Sequence, residues 1–378
     1  MARFDPVAGL RPALRTMPEY QALEDLREVA ARYGVDPADV IKIDGNENPF
    51  GASPRALEAL RDLDYHVEWY GDDHQTALRA ALAGRLGVPA ECVVAGSGSD
   101  ELIDQTFRMY LGSGEGSGDG SGDAIVIASP TFGMYAFDAS LHGARVVDVP
   151  LRDDWTFDED AMVAAAREAK AVFIPSPNNP TGTLLPVTLV DRLLETGALL
   201  VVDEAYIEFA DAASLAARAA AEDGLIVLRT LSKWGALAGL RIGYGVMSPA
   251  MADLFRRAKQ PYNVNAAAEA AAIAAIEDAA VLDERARIVA SERERVTREL
   301  ARLEWIEPVP SQASFVLMKL ARGDGRTLRD ELRKRGIFTR YFESSRLRDY
   351  LRISIAKPEQ NDRVLAAITE IGEELVHG

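Results

Sequence analysis

The sequence is poor in the residues that build disulfide frameworks and metal centres. It has one cysteine, Cys92, so no intrachain disulfide can form, and a reducing cytoplasm suits that usage. Its four histidines, His66, His74, His142 and His377, are scattered without ligand spacing, and no metal site is expected. Basic residues are in deficit: 42 Lys and Arg face 59 Asp and Glu, a net charge of -17. A nucleic-acid surface needs clustered cations to meet phosphates, so none is expected. A small anionic substrate is still compatible, because a few arginines in a cleft set the local field. Long apolar runs are also missing. The most apolar long segment, Asn265 to Ile276, is alanine-rich, interrupted by Glu269, and too short to span a bilayer. The opening MARFDPVAGLRPALRTMPEY has prolines and no apolar h-region, so no signal peptide is read. No G-x-x-x-x-G-K-[ST] and no G-x-S-x-G occurs, which argues against a P-loop NTPase and a nucleophile elbow.

What is present is a chain of 378 residues, 48% hydrophobic and 27% charged. That composition is globular, and the length predicts two structural units. Apolar strand-like runs alternate with helical patterns from about residue 92 to 247. The strand candidates are Cys92–Ala95, Ala124–Ala128, Ala144–Val149, Ala171–Ile174, Ala198–Val202, Leu225–Arg229 and Arg241–Met247; Asp100–Leu111, Asp158–Lys170 and Val187–Thr196 read as helices between them. Nearly continuous apolar strands with helical crossovers predict an α/β fold, a mainly parallel sheet covered on both faces. A charged helical pattern over 281–304 links this unit to a smaller α+β unit of strands and helices near the C-terminus. The expected division is 1–45 as an N-terminal arm and part of the small domain, 46–265 as the large domain and 266–378 as the small domain. The glycine- and serine-rich run 112–123 reads as a flexible surface loop.

In such sheets ligands bind beyond the carboxyl ends of the strands, so the residues following each strand carry the functional signal. After the first comes GSGSDE (96–101), whose backbone N–H groups at a helix start can hold a phosphate; taken alone it reads as readily as a capped glycine turn. After the second comes SPTFGMY (129–135), where Phe132 can stack on a planar ring or simply pack in the core. The fourth is followed by SPNNPTG (176–182), with prolines fixing two asparagines. The fifth ends in Asp203-Glu-Ala-Tyr206, a carboxylate that burial makes costly unless a cation or hydrogen bonds compensate it. The sixth is followed by Thr230-Leu-Ser-Lys-Trp-Gly-Ala-Leu-Ala-Gly-Leu-Arg241. A poorly solvated Lys233 near Arg241 should have a lowered pKa, which a Schiff-base lysine needs. Five strand ends converging on such groups suit a flat ligand with a phosphate and a basic ring nitrogen, and pyridoxal 5'-phosphate meets that description.

The ordered set GSGSDE, SPTFGMY, SPNNPTG, DEAYIEF, TLSKWGALAGLR and PYNVN resembles the fold-type I pyridoxal-phosphate aminotransferases, and in particular the histidinol-phosphate aminotransferase family. The resemblance includes Asn46-Glu-Asn-Pro49 and runs from near Tyr20 to Leu351-Arg-Ile-Ser354. It implies a large cofactor-binding domain with a smaller α+β domain. Lys233 would carry the cofactor and shuttle the proton, Asp203 would pair with the pyridine nitrogen, and Asn179 and Tyr206 would bond the ring oxygen. Phe132 would stack on the ring. Ser99, Asp100, Thr230, Ser232 and Arg241 would hold the phosphate, and Tyr70 would reach the cofactor of a partner subunit in a homodimer. Arg352 would clamp a substrate carboxylate or phosphate, Arg340 would add the second arginine of this family, and Tyr20 and Asn48 would approach substrate. Trp234 departs from the Ala or Phe frequent after the lysine. The implied reaction is transamination between L-histidinol phosphate and 2-oxoglutarate, giving imidazole acetol phosphate and glutamate. An aromatic or broad-specificity aminotransferase comes next, and a lyase like threonine-phosphate decarboxylase after it.

Overall fold

A computed structural model describes residues 5, 9–11, 14–15, 23–62, 66, 68–112 and 122–377, the last four by their backbone alone. Two sheets organise the chain. The larger contains β2 (Val93–Gly96), β3 (Ala124–Ile127), β4 (Arg145–Asp148), β5 (Ala171–Pro175), β6 (Leu199–Asp203), β7 (Leu225–Thr230) and β8 (Gly243–Val246). It is preceded in the chain by β1 (Ile41–Ile43), which belongs elsewhere. The spatial order is β2-β8-β7-β6-β5-β3-β4. Strand β8 runs antiparallel to both neighbours, β2 and β7, while the other pairings are parallel. All seven strands expected from the sequence are present, with ends shifted by a residue or two.

Strand alternation sends neighbouring residues to opposite faces. Val126, Val172, Val202 and Val227 join one core, whereas Ile125, Phe173, Val201 and Ile226 join the other. Both faces are apolar because crossover helices cover both. Ser99–Tyr110, Met134–His142, Glu159–Ala166 and Val187–Leu194 supply those crossovers. Edge strand β4 is largely exposed, as its Arg145 and Asp148 lead one to expect.

The smaller sheet contains β9 (Ile306–Pro308), β10 (Phe315–Leu320), β11 (Ile337–Tyr341) and β12 (Tyr350–Ser354), in the order β1-β11-β12-β10-β9. Strand β1 pairs in parallel with β11, Ile41 opposite Ile337. The N-terminal arm therefore completes a sheet built otherwise by the C-terminal part of the chain. The long helix runs Ala279–Leu300, with Leu282, Ala286, Val289, Val296 and Leu300 buried along one stripe. The preceding helix Ala266–Glu277 packs on Pro54–Arg61 and Thr76–Leu86 rather than on the small sheet. Its alanine-rich, nearly all-apolar sequence has no polar face from which that partner could be read. The tip of the glycine-rich run, 113–121, lies outside the described residues; its ends, Gly112 and Asp123, hydrogen-bond to one another. No helix among the described residues is long and apolar enough to cross a membrane.

Candidate active site

The carboxyl ends of β2, β3, β5, β6 and β7 and the start of β8 meet at one edge of the large sheet, facing the small one. There a cavity of about 700 Å³ is lined from both units. Of the residues selected from the sequence, Ser99, Asp100, Phe132, Asn179, Asp203, Tyr206, Thr230, Ser232, Lys233, Arg241, Arg340 and Arg352 all line it.

Lys233 sits in the bend after β7. Its Nζ donates to the Gly45 carbonyl at 2.9 Å and stands 5.9 Å from the centre of the Tyr206 ring. Burial, with Arg352 as a like charge nearby, brings the amine down to about 8. Asp203 ends β6 and is 5% exposed. One oxygen accepts from the Ala205 N–H at 3.1 Å and the other from the Tyr135 hydroxyl at 3.1 Å. Burial pushes this carboxyl up to about 7 despite those donors. Such a group is poised to lie against a cation.

The opposite wall is cationic. Arg352 on β12 donates to the Asn179 side-chain oxygen at 2.5 Å and to the Asp44 carbonyl at 2.6 Å. Its guanidinium lies over Phe315 and Phe342. Arg340 stands directly across the β11–β12 pair from Arg352 and also reaches over Phe342. Two arginines side by side on antiparallel strands make an anion-binding wall, with planar guanidinium groups suited to carboxylate or phosphate.

Between these walls lies a cradle of backbone and hydroxyl groups. The chain turns through Gly98, at φ +83°, into the helix Ser99–Tyr110. Arg241 bonds the Asp100 carboxylate at 3.0 Å and the Ser232 hydroxyl at 3.4 Å. A Cβ on Gly98 would stand 2.6 Å from the Arg241 guanidinium, and one on Gly243 would stand 2.2 Å from the Ser99 nitrogen. The second clash is with backbone, which cannot swing aside. Gly243→Ala should therefore displace the turn, at a cost of about 1–3 kcal/mol typical of overpacking. Thermal unfolding would show the loss of stability, and titration with pyridoxal phosphate a loss of affinity greater than that of a distant variant of equal stability.

Two of the sequence selections, Asn48 and Tyr70, are not among the residues that line the cavity. Tyr20 lies outside the described residues. Asn48 does not face the cavity: its amide donates to the backbone carbonyls of Lys233 and Trp234 and so braces the lysine bend. Tyr70 is 83% exposed and stacks on Tyr262 at 4.5 Å, away from this chain's own cavity. Trp234 turns inward, bonded to Asp283 and covered by Arg85. Conversely, sequence reading assigned no role to Asp44, Gly45, Asn46 and Phe342, which line the cavity, or to Tyr135. Asn46 donates to the Tyr206 hydroxyl at 3.0 Å and is tied to Ser354. The motif Asn46-Glu-Asn-Pro49 was the available signal, and the asparagine in the cavity is its first, not its third.

An amine, a carboxylate with the chemistry of a pyridinium partner, an aromatic wall at Phe132 and a helix-start cradle fit pyridoxal 5'-phosphate without a missing or blocking group. On this fold, that set defines a fold-type I pyridoxal-phosphate enzyme. Comparisons with known proteins sharpen the class. The family description aminotransferase class I and II matches residues 38–368. The histidinol-phosphate aminotransferase of Roseiflexus castenholzii is 44% identical over 375 residues, covering 96% of this chain and 98% of that one. The chloroplastic histidinol-phosphate aminotransferase of Nicotiana plumbaginifolia is 38% identical, covering 96% of this chain and 86% of that one. Among solved structures, histidinol-phosphate aminotransferase from Sinorhizobium meliloti in complex with pyridoxal-5'-phosphate superposes with a TM-score of 0.86 at 30% identity, covering 97% and 98% of the two chains. The chain belongs to the class I and II aminotransferases and, within them, to the histidinol-phosphate aminotransferase family.

Proposed function

We propose that this aminotransferase converts L-histidinol phosphate and 2-oxoglutarate to imidazole acetol phosphate and L-glutamate, a reaction of histidine biosynthesis. The observation that carries the reading is the Arg340–Arg352 pair: two cations on one wall suit a donor that brings a phosphate and an acceptor that brings two carboxylates. The similarity to the histidinol-phosphate aminotransferases of Roseiflexus castenholzii and Nicotiana plumbaginifolia supports the same choice. A threonine-phosphate decarboxylase of Porphyromonas gingivalis superposes with a TM-score of 0.75 at 23% identity, a likeness of fold alone.

The bound cofactor supplies an electron sink for the pair left on the donor's Cα when its proton departs. The protein does the rest. Arg352 and Arg340 bind the substrate's anionic groups and fix the donor's orientation. The Lys233 amine takes the Cα proton and returns it, a role worth roughly 10²–10⁴-fold. An amine near pH 8 is well matched to that task, since it can be neutral and still basic under working conditions. Asp203 holds a proton at the pyridine nitrogen. Tyr206, oriented by Asn46, and Asn179, oriented by Arg352, steady the ring oxygen. The reading includes a homodimer in which exposed Tyr70 reaches the partner's cofactor, and residence in the cytoplasm, consistent with one buried cysteine.

The test is a half-reaction. Holoenzyme mixed with L-histidinol phosphate and no oxo acid should convert to the pyridoxamine form, read by absorbance, far faster than with L-phenylalanine. Equal or faster conversion by phenylalanine would reassign the protein to aromatic donors; release of carbon dioxide would make it a lyase. In the same assay Arg340→Gln should raise the KM for histidinol phosphate about ten- to a hundredfold, the worth of a lost charge-assisted hydrogen bond, while leaving kcat nearly unchanged.

A further inference from the structure

We propose that Tyr135 is a positioning residue of this reaction: its phenol holds Asp203 ionised and aimed at the cofactor's ring nitrogen. The inference rests on the assignment of Asp203 to that nitrogen and goes beyond it, because it names what makes a buried carboxylate fit for the role.

Asp203 is nearly sealed from water, so its charge must be met by donors. Among the described residues it has two, one per oxygen: the Ala205 N–H and the Tyr135 hydroxyl. The first is local backbone and would be present with any residue at 205 but proline. The second comes from 68 positions away, on the helix Met134–His142. The charged groups that act most on Asp203, Asp100 and Glu204, carry its own sign. They favour protonation of the carboxyl, and Tyr135 opposes it.

The phenol has no alternative. Tyr135 is 0% exposed. Its ring is wedged edge-on against Phe132 at 5.6 Å and tilted on Phe173 at 5.5 Å. The hydroxyl cannot swing to solvent, and burial together with the neighbouring Asp203 charge pushes its own ionisation well above the ordinary range. It is therefore a permanent donor. The Phe132 contact also couples the two ends of the arrangement: the ring that faces the cofactor's plane is buttressed by the residue that sets the carboxylate behind its nitrogen.

Without the hydroxyl, a proton shared between Asp203 and the ring nitrogen moves toward Asp203. The ring becomes a poorer electron sink, although no group touching cofactor or substrate has changed. Nothing is consumed or transferred; only the position of one proton along one hydrogen bond differs.

The experiment uses Tyr135→Phe holoenzyme loaded with cofactor carrying ¹⁵N at the ring nitrogen, beside wild type and Asp203→Asn. Phenylalanine keeps both ring contacts, so a folded protein with a nearly unchanged thermal midpoint is expected. The ¹⁵N signal of Tyr135→Phe should move part of the way toward unprotonated pyridine, and that of Asp203→Asn further. In parallel, kcat of Tyr135→Phe should fall about ten- to a hundredfold, as for one hydrogen bond to a charged group, with KM for the donor little changed. A wild-type signal in Tyr135→Phe beside a shifted one in Asp203→Asn would reduce Tyr135 to a packing residue and overturn the proposal. Unshifted signals in both variants would overturn the Asp203 assignment itself.

Discussion

Lys233→Ala should lose at least about 10⁴-fold in turnover, the upper end of what a positioned general base contributes, because the same amine also carries the cofactor. Lys233 is the one amine among the described residues that line the cavity: the other cations there, Arg241, Arg340 and Arg352, are guanidinium groups that stay protonated and cannot take its place as base. The variant should still bind pyridoxal phosphate without a covalent bond, through Arg241 and the Gly98–Ser99 turn. Its spectrum would then be that of the free aldehyde, and borohydride reduction would leave no cofactor on the protein. Retained covalent attachment would mean that another lysine fills the role, and the reading of the site would fail.

Asp203→Asn is the second large effect. The substitution keeps size and the acceptor oxygen for the Ala205 N–H but removes the charge. Turnover should drop about 10²–10³-fold, comparable to losing one preorganised electrostatic contact at a reacting centre. Stability should move the other way. A carboxyl raised from the ordinary 3.8 to about 7 on folding holds its proton more tightly in the folded state, so the folded state loses stability as pH rises through that window. Lys233, lowered from 10.5 to about 8, has the mirror-image behaviour: stability is lost as pH falls from 10.5 through 8. Near neutral pH the cofactor-free protein carries both penalties. Asp203→Asn should therefore raise the thermal midpoint of cofactor-free protein above pH 7 and leave it unchanged near pH 4. Equal midpoints at both pH values would mean that Asp203 is not strained by burial. Adding cofactor should stabilise wild type more than the variant, since the pyridinium meets the carboxylate only in wild type.

Much of this site was legible because each cofactor group follows a buried strand directly. Asp203 ends β6, Thr230 ends β7 and Lys233 lies in the bend just beyond it, and a charged or polar residue closing an apolar run stands out. Arg352 was legible only through the family resemblance; it lies inside β12, between Leu351 and Ile353. What could not be read had no such frame. Strand β1 has three residues, too few to display an alternation, and it pairs with β11 across nearly the whole chain. The cavity roles of Asp44, Gly45 and Asn46 depend on that pairing. The Asn46-Glu-Asn-Pro49 motif pointed to the right turn but to Asn48 instead of Asn46, since which amide faces inward is decided by contacts with Ser354 and Tyr206. Tyr135 was hidden for a related reason: an aromatic on an amphipathic helix reads as core, and it is core, except for its oxygen. The buried Arg229, bonded to Glu208 and near Glu204 beneath the site, likewise had no local signature.

The pairing of β1 with β11 also sets an order of events during synthesis. Ile41 waits for Ile337, so roughly 300 residues must be made before its partner exists, on the order of 15–60 s at about 5–20 residues per second. The large sheet can close earlier, with Lys233 and Asp203 already on its edge. The Asp44–Asn46 segment, which holds the lysine amine and the Tyr206 hydroxyl, is fixed only when the last strands emerge. A nascent chain stalled before β11 would thus present an open cofactor cradle without its Asp44–Asn46 wall, and capture of the cofactor becomes a late checkpoint on a finished chain.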